Sequence, residues 1–445
     1  MAGMLDSTTA LRTASGEEVT LAGLIGSGGQ GEVYRSRHHG DEKALKWYYP
    51  DSATPEQREI VEDLIARRWS DDRFLWPQAL VLGNDGQFGY LMRMRPPRFA
   101  GLSDHFRREV DVRHRELLAA CIHLVEAYRT LHSQGIAYRD INQGNVFFDP
   151  RSGEVLVCDN DNAIVEGRVA GITGTVDFMA PELIRGDSGA IPRTQTDLHS
   201  LAVLLFEMLI TQHPLKGALE YGIGCIDTAA KIQIFGTDAV FVFDPVDTRN
   251  RPVPGEQDDL QAGWDALPES MRRLFTKAFT DGLHHPERRV RETQWRDALS
   301  GARDMIACCQ RCGRQNILGR QQASPQRCWS CQQLLAVPLA LEITAAGSPA
   351  RRTVLLAPDA RIFTHHLMAS VPRHDFTDAS AVAAVTEHPR ARGRYGLKNL
   401  TDEAWQAELP AGEPAEVPPG RSIELIEGIR LDIGGSKAVM GPLTS

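Results

Sequence analysis

Over the first ninety residues, apolar positions fall in short runs broken by glycine-bearing turns. Residues 21–25 and 32–37 read as strands, with Gly26-Ser-Gly28-Gly-Gln-Gly31 between them. Ala44-Leu45-Lys46 ends another strand. Residues 54–68 predict a helix, with Pro55 in its first turn and Thr54 as cap. Residues 88–94 form an apolar strand leading to Pro96-Pro97, the expected hinge between two lobes. Residues 116–134 carry apolar side chains at helical spacing and stop at Gly135, a suitable C-cap. The run 154–158 is short and rich in β-formers, so it reads as a buried strand. Residues 295–306 predict one more helix. From Val337 onward the pattern changes to short alternating runs. Residues 339–343, 353–356, 382–385, 396–397, 422–425 and 429–434 read as strands, punctuated by Gly, Pro and Asn, which predicts a β-sandwich.

Composition narrows the classes. The chain has 445 residues, enough for two or three domains, and 42% apolar and 24% charged residues suit a globular protein. A net charge of -9 argues against general nucleic-acid binding, which needs clustered Lys and Arg. No apolar run is long enough for a membrane-spanning helix. Residues 1–13 lack the basic start and apolar core of a secretory signal, so a cytoplasmic protein is expected. Cys121, Cys158 and Cys225 are scattered and read as free thiols. The other five cysteines cluster at 308–331. Cys309-Gln-Arg-Cys312 and Cys328-Trp-Ser-Cys331, fifteen residues apart, have the spacing of a zinc ribbon, in which four thiolates close a tetrahedral structural Zn2+ site. Cys308 is adjacent but outside that spacing.

The candidate chemistry lies at 138–161. Asp140 and Asn145 form Asp-x-x-x-x-Asn, a loop that can set a carboxylate near an incoming hydroxyl and an amide oxygen near a metal ion. The strand that follows delivers Asp159 to the same cleft, where a carboxylate can hold Mg2+ between phosphates. The glycines at 26–31 let backbone amides approach phosphate without interference from Cβ.

In this order the motifs resemble a eukaryotic-type Ser/Thr protein kinase of the kind found in bacteria. The matches are Gly26 to Val33 (G-x-G-x-x-G-x-V), Ala44-Leu-Lys46 (V-A-I-K), Arg139-Asp140 with Asn145, Asp159, and Gly174-Thr175-Val-Asp-Phe-Met-Ala180-Pro181-Glu182. Asp197-Leu-His-Ser200 resembles the start of the helix whose Asp supports the catalytic loop. His285-Pro286-Glu-Arg-Arg289 resembles D-P-x-x-R. The resemblance covers about residues 15–300. It implies an ATP site built from Gly26, Gly28, Gly31, Val33, Ala44 and Lys46. Glu62 on helix 54–68 would hold Lys46, with Glu59 as runner-up. Asp140 would accept the proton of the substrate hydroxyl, and Asn145 and Asp159 would ligate Mg2+ or Mn2+. Arg139 would grip an activation-segment phosphate on Thr173, Thr175 would line the substrate groove, and Glu182 and Arg289 would form a buried ion pair.

The departures are specific. Tyr138 replaces the usual His, and Asn160-Asp161 replaces Phe-Gly after the metal-binding Asp, which implies a less switchable segment. Asn142 stands where protein kinases place a lysine that stabilises the transferred phosphoryl group, a donor worth about 10²-fold in rate. Gly144-Asn145 is similar to small-molecule kinases, so a metabolite kinase and a nucleotide-binding scaffold without transfer are the rival readings. Ala180-Pro181-Glu182 and Asp197 favour the protein kinase.

At the other end, residues 425–434 resemble the close of a forkhead-associated domain, and Gly396-Leu-Lys-Asn399-Leu-Thr401 resembles its Asn-bearing turn. The Gly-Arg and Ser-x-x-His that grip phosphothreonine in that family have no clear counterpart, and Ser380 is a poor stand-in. The expected class is α+β. Residues 1–15 are an extension, 16–303 a bilobal kinase fold (lobes 16–94 and 95–303), 304–335 a zinc ribbon and 336–445 an all-β sandwich. The combination resembles bacterial signalling kinases that work with von Willebrand type A proteins and a metal-dependent phosphatase, with neither a nucleic-acid nor a membrane partner.

Overall fold

The computed structural model describes residues 3–6, 9–83, 86–166, 174–319 and 326–443. The small lobe is a barrel of six short strands: β1 (Leu11–Thr13), β2 (Glu18–Ser27), β3 (Gly31–His38), β4 (Asp41–Tyr48), β5 (Ala79–Leu82) and β6 (Phe88–Arg93). Around the barrel the order is β1-β2-β3-β4-β6-β5, and β1 closes it by pairing with both β2 and β5. Leu11, Val19, Tyr34, Leu45, Trp47, Val81 and Leu91 form one buried cluster of this lobe. One helix, α1 (Pro55–Ala66), crosses the lobe, with the Thr54 hydroxyl accepting from the Gln57 amide at its N-cap.

Past Pro96-Pro97 the chain enters the large lobe. Its elements are β7 (Ala100–Gly101), α2 (Leu102–Phe106), α3 (His114–Ser133), β8 (Ile136–Ala137), β9 (Val146–Phe148), β10 (Val155–Val157), β11 (Ile164–Val165), α4 (Pro181–Arg185) and α5 (Thr194–Ile210). Then come α6 (Ala218–Tyr221), α7 (Thr228–Ile232), α8 (Asp258–Ala266), α9 (Glu269–Phe279), α10 (Asp281–His284) and α11 (Glu292–Asp304). α5 is apolar nearly all round, as a helix at the centre of a lobe must be. β10 pairs with β9, and residues 73–75 bond to Val157 from the other side. That double lacing fixes where the strand delivers its next residues.

Two short strands, β12 (Ile306–Cys308) and β13 (Gln315–Ile317), pair antiparallel beside the cysteine cluster. The rest is a sandwich of two antiparallel sheets. The larger has the order β15 (Arg351–Leu355), β14 (Ala340–Thr344), β23 (Ser436–Gly441), β22 (Arg430–Ile433), β19 (Trp405–Glu408), β20 (Pro414–Val417). The smaller has β16 (Arg361–Phe363), β17 (Ala381–His388), β18 (Ala391–Asn399), β21 (Ser422–Glu424). A short helix, α12 (Thr364–Leu367), follows β16. Leu341, Ile343, Val354, Ile362, Leu397, Trp405, Leu431 and Met440 fill the space between the sheets. Asn399 is buried at the end of β18. Its amide donates to the Glu403 and Val417 carbonyls and its oxygen accepts from Thr401, so it clamps a turn. Ser380 donates to the Asp375 and Thr377 carbonyls.

The sandwich is packed on the large lobe. The Arg303 guanidinium lies 3.8 Å from the Phe376 ring centroid, His366 pairs with Asp304 at 3.0 Å, and His123 bonds the His374 carbonyl at 2.8 Å. One apolar core runs from α3, α5 and α11 through Cys309, Cys328 and Leu335 to Ala340 and Leu355.

Candidate active site

The glycine hairpin follows from packing. A Cβ on Gly31 would lie 2.1 Å from the Trp47 carbonyl, so only glycine lets β3 and β4 pair there. Gly26 and Gly28 face open space, and the Gly28 amide bonds the Gly31 carbonyl at 2.8 Å. Lys46 stands opposite Val33 on β3 and Tyr90 on β6. Val33 and Ala44 belong to the same apolar cluster as Leu156 from the large lobe.

Lys46 does not pair with Glu62. α1 turns Ile60, Val61 and Leu64 inward, which leaves Glu62 exposed and paired with Arg58 one turn away at 2.9 Å. Glu59 is exposed as well. The side chain that α1 sends to the cleft is Gln57. The partner of Lys46 is Asp161: Nζ is 2.9 Å from both carboxylate oxygens, with Gln30 Oε1 at 3.1 Å and Asp159 Oδ1 at 3.6 Å. Tyr90 donates to Asp161 Oδ1 at 2.9 Å, Tyr48 donates to Oδ2, and Gln57 Nε2 lies 3.3 Å from the Asp161 carbonyl and 3.4 Å from Oδ2. Burial pushes the Asp161 carboxyl up, but Lys46 and these donors outweigh it and hold it below the ordinary value. Burial also lowers Lys46, and the charges of Asp161 and Asp159 raise it past its ordinary value. Glu62→Ala is therefore expected to cost no more than about 0.5 kcal/mol of stability and to leave ATP affinity unchanged, by thermal melt and calorimetry.

The catalytic loop hangs on Asp197. Its oxygens accept from the Arg139 amide at 3.0 Å, the Tyr138 amide and His132 Nε2 at 3.1 Å. Asp140 is held from three sides. Asn142 Nδ2 and the Thr175 amide and hydroxyl bond Oδ1 at 2.8, 2.9 and 3.1 Å, and Asn145 Nδ2 bonds Oδ2 at 3.1 Å. Asn142 also accepts from the Gly144 amide at 2.7 Å, so it braces Asp140 and caps the turn that ends at Asn145. Arg139 Nε donates to the Asn162 carbonyl. Thr173 lies outside the described residues.

The metal segment is laced to this loop. The Cys158 amide donates to the Asn145 carbonyl at 3.0 Å, and the Tyr138 hydroxyl donates to the Cys158 carbonyl. Asp159 follows in the left-handed region (φ 51°), a conformation Asp tolerates better than most residues. Its side chain keeps 40% of its surface open, as a metal ligand needs. Asn160 turns inward and donates to the Val157 carbonyl at 3.0 Å. The Tyr138 phenol and the Asn160 amide thus each bond to backbone.

Ion pairs centred on Arg289 and on His132 brace the site. Arg289 grips both oxygens of Glu182 at 2.9 and 2.7 Å. His132, between Asp197 and Glu292, is pushed up to about 9: burial pulls it down, and the two carboxylates more than reverse that. A raised histidine stabilises the fold fully below its unfolded value of 6.5 and loses that contribution as pH climbs to about 9. Urea unfolding should give a stability about 3 kcal/mol lower at pH 9.5 than at pH 6, and His132→Gln should abolish most of that difference.

In the ribbon, the four Sγ atoms of Cys309, Cys312, Cys328 and Cys331 lie within 4.8 Å of one another, with Cys309–Cys331 and Cys312–Cys328 both at 3.6 Å. A tetrahedron of Zn–S bonds has edges of about 3.8 Å, so the sulfurs fit a zinc ion.

Sequence reasoning missed Asp161, Gln57, Tyr48 and Tyr90. Period two held part of the signal, because Tyr48 shares a face of β4 with Lys46. A charged residue in the place of a glycine, two residues past the metal-binding Asp, held the rest.

Residues 19–240 match the protein kinase domain family. With the two lobes and the cleft described above, they are a protein kinase domain. The chain is similar to protein kinase C delta type of Mus musculus, 41% identical over 91 residues, covering 20% of this chain and 13% of that protein. It is similar to serine/threonine-protein kinase mos of Patiria pectinifera, 27% identical over 217 residues, 45% of this chain and 59% of that one. It is also similar to serine/threonine-protein kinase 1 of Lymantria dispar multicapsid nuclear polyhedrosis virus, 29% identical over 115 residues, 26% of this chain and 40% of the relative. The chain spans less than two thirds of the length of each of these relatives. No helix among the described residues is long and apolar enough to cross a membrane.

Proposed function

We propose that the chain is a Ser/Thr protein kinase that transfers the γ-phosphoryl group of ATP to protein hydroxyls and phosphorylates its own activation segment. The carrying observation is the meeting of Lys46, Asp140, Asn145 and Asp159 in one cleft under the glycine hairpin. The apolar cluster of Val33, Ala44 and Leu156 suits an adenine ring. Asn145 has its amide nitrogen committed to Asp140, which leaves its oxygen for a metal ion beside the open Asp159 carboxylate. Mg2+ or Mn2+ held there supplies charge compensation for the phosphates. Asp140 orients the hydroxyl and takes its proton as the new O–P bond forms, the bond from Pγ to the bridging oxygen breaks, and ADP leaves. Thr175, bonded to Asp140, lines the groove for the protein hydroxyl. Asn142 brings no charge to the transferred group, so a slow enzyme is expected. The names of the relatives support a serine or threonine acceptor.

The zinc ribbon serves as a structural staple, and the sandwich is a forkhead-associated-like module. The setting we infer is cytoplasmic bacterial signalling with von Willebrand type A proteins and a metal-dependent phosphatase.

The test is autophosphorylation with γ-labelled ATP and Mg2+, wild type beside Asp140→Ala and Asp159→Ala, with the label placed by mass spectrometry. Label on Thr173 or nearby, lost in both variants, is the expected result. No label from wild type, with ATP still raising the melting temperature, would replace this reading with a nucleotide-binding scaffold. Label that persists in Asp140→Ala would remove Asp140 from its role.

A further inference from the structure

Resting on the kinase reading, we propose that Asp161 is the positioning residue for Lys46. In this chain the lysine's counter-charge comes from the metal-binding segment, and helix α1 supplies only a neutral brace, Gln57. Three observations converge. First, Asp161 is fully buried and meets Lys46 through both oxygens at 2.9 Å, while the three glutamates of α1, Glu56, Glu59 and Glu62, are all exposed. Second, Asp161 is over-determined. Tyr48, Tyr90 and Gln57 also direct donors at it, from two strands and a helix, so its carboxylate has one place to be. Third, Asp161 and Asp159 sit on a single turn, Asn160–Asn162, that starts from the left-handed Asp159. The metal ligand and the lysine's counter-charge therefore have a fixed separation.

Besides Asp161 and the longer approach to Asp159 at 3.6 Å, Lys46 bonds Gln30, at 3.1 Å on the glycine hairpin. That is the contact an incoming phosphate oxygen would displace, while Asp161 keeps the ammonium aimed. The helix takes a minor part. Its link to the site is the Gln57 amide, through bonds of 3.2 to 3.4 Å. Swinging α1 away would break no ion pair at Lys46. A kinase built this way is kept ready by its metal segment, and its activity is insensitive to loss of Glu62, which pairs with Arg58.

The test moves the charge. In Asp161→Gly the counter-charge is lost; in Asp161→Gly with Gln57→Glu it returns from the helix side. Steady-state transfer gives kcat and KM, calorimetry gives the Kd for Mg-ATP, and a thermal melt selects variants that fold. Asp161→Gly is expected to lower kcat about 10²-fold and weaken Mg-ATP about tenfold, the paired variant to regain at least tenfold in kcat, and Glu62→Ala to match wild type. An Asp161→Gly enzyme as fast as wild type, or a folded pair no better than Asp161→Gly, overturns the proposal. If wild type itself transfers nothing, the kinase reading fails separately, and the proposal is decided by Kd: tenfold weakening and recovery uphold it, and an unchanged Kd overturns it.

Discussion

Arg289→Ala should lower the stability of the large lobe by about 3–5 kcal/mol, a fall of roughly 10 °C or more in Tm. The Arg289 side chain is 2% exposed and joins three places: both oxygens of Glu182, the Gly282 carbonyl at 3.0 Å and the Gln195 carbonyl at 2.9 Å. Truncation leaves the Glu182 carboxylate, itself mostly buried, without its cation, and two carbonyls without their donor. Lysine should rescue little, because one ammonium cannot reproduce the two-pronged grip. Differential scanning fluorimetry on both variants measures it. A Tm within 2 °C of wild type would mean that the pair is dispensable.

Losing the metal at the four cysteines should have an effect of similar rank. Structural zinc contributes on the order of 10 kcal/mol in small modules that fold around it. Here Cys309 and Cys328 are part of the continuous core that includes Met305, Leu335 and Ala340. Opening the ribbon therefore loosens the seam between α11 and the sandwich. Elemental analysis should give one zinc per chain. Cys328→Ser, or prolonged chelation, should bring fast proteolytic cleavage between residues 305 and 340 while the small lobe stays intact. A metal-free chain that resists protease as well as wild type would reduce the cysteines to free thiols.

Much of the layout could be read from the chain because its signals are local. The glycine hairpin, the capped helix after Thr54, the strand before Asp159 and the paired C-x-x-C knuckles each declare themselves within a dozen residues. The partner of Lys46 did not, because it depends on helix rotation. The position of Glu62 on the helix does not say which way it faces, and the packing of Ile60, Val61 and Leu64 turns it outward. A contact between residues 46 and 161 has no periodic trace. The bracing by Asn142 has no trace in the motif either: its side-chain amide satisfies its neighbours Asp140 and Gly144. In the sandwich, β16, β19, β20 and β23 escaped notice because their runs are short or carry small residues, as in Ser-Lys-Ala-Val-Met-Gly.

The closure of the small-lobe barrel by β1 has a consequence for recruitment. An open sheet offers a row of unpaired amides and carbonyls on which another chain can lay down a strand. With β1 bonded to both β2 and β5, the edge of β2 at Glu18 and Val19 and the edge of β5 at Val81 and Leu82 are already taken. For a protein that docks by β-augmentation, the sandwich offers longer sheet ends than the short two- and three-stranded sheets elsewhere among the described residues. There β15, β20, β16 and β21 end their sheets. β20 carries a proline at its first position, which removes one donor from its rim.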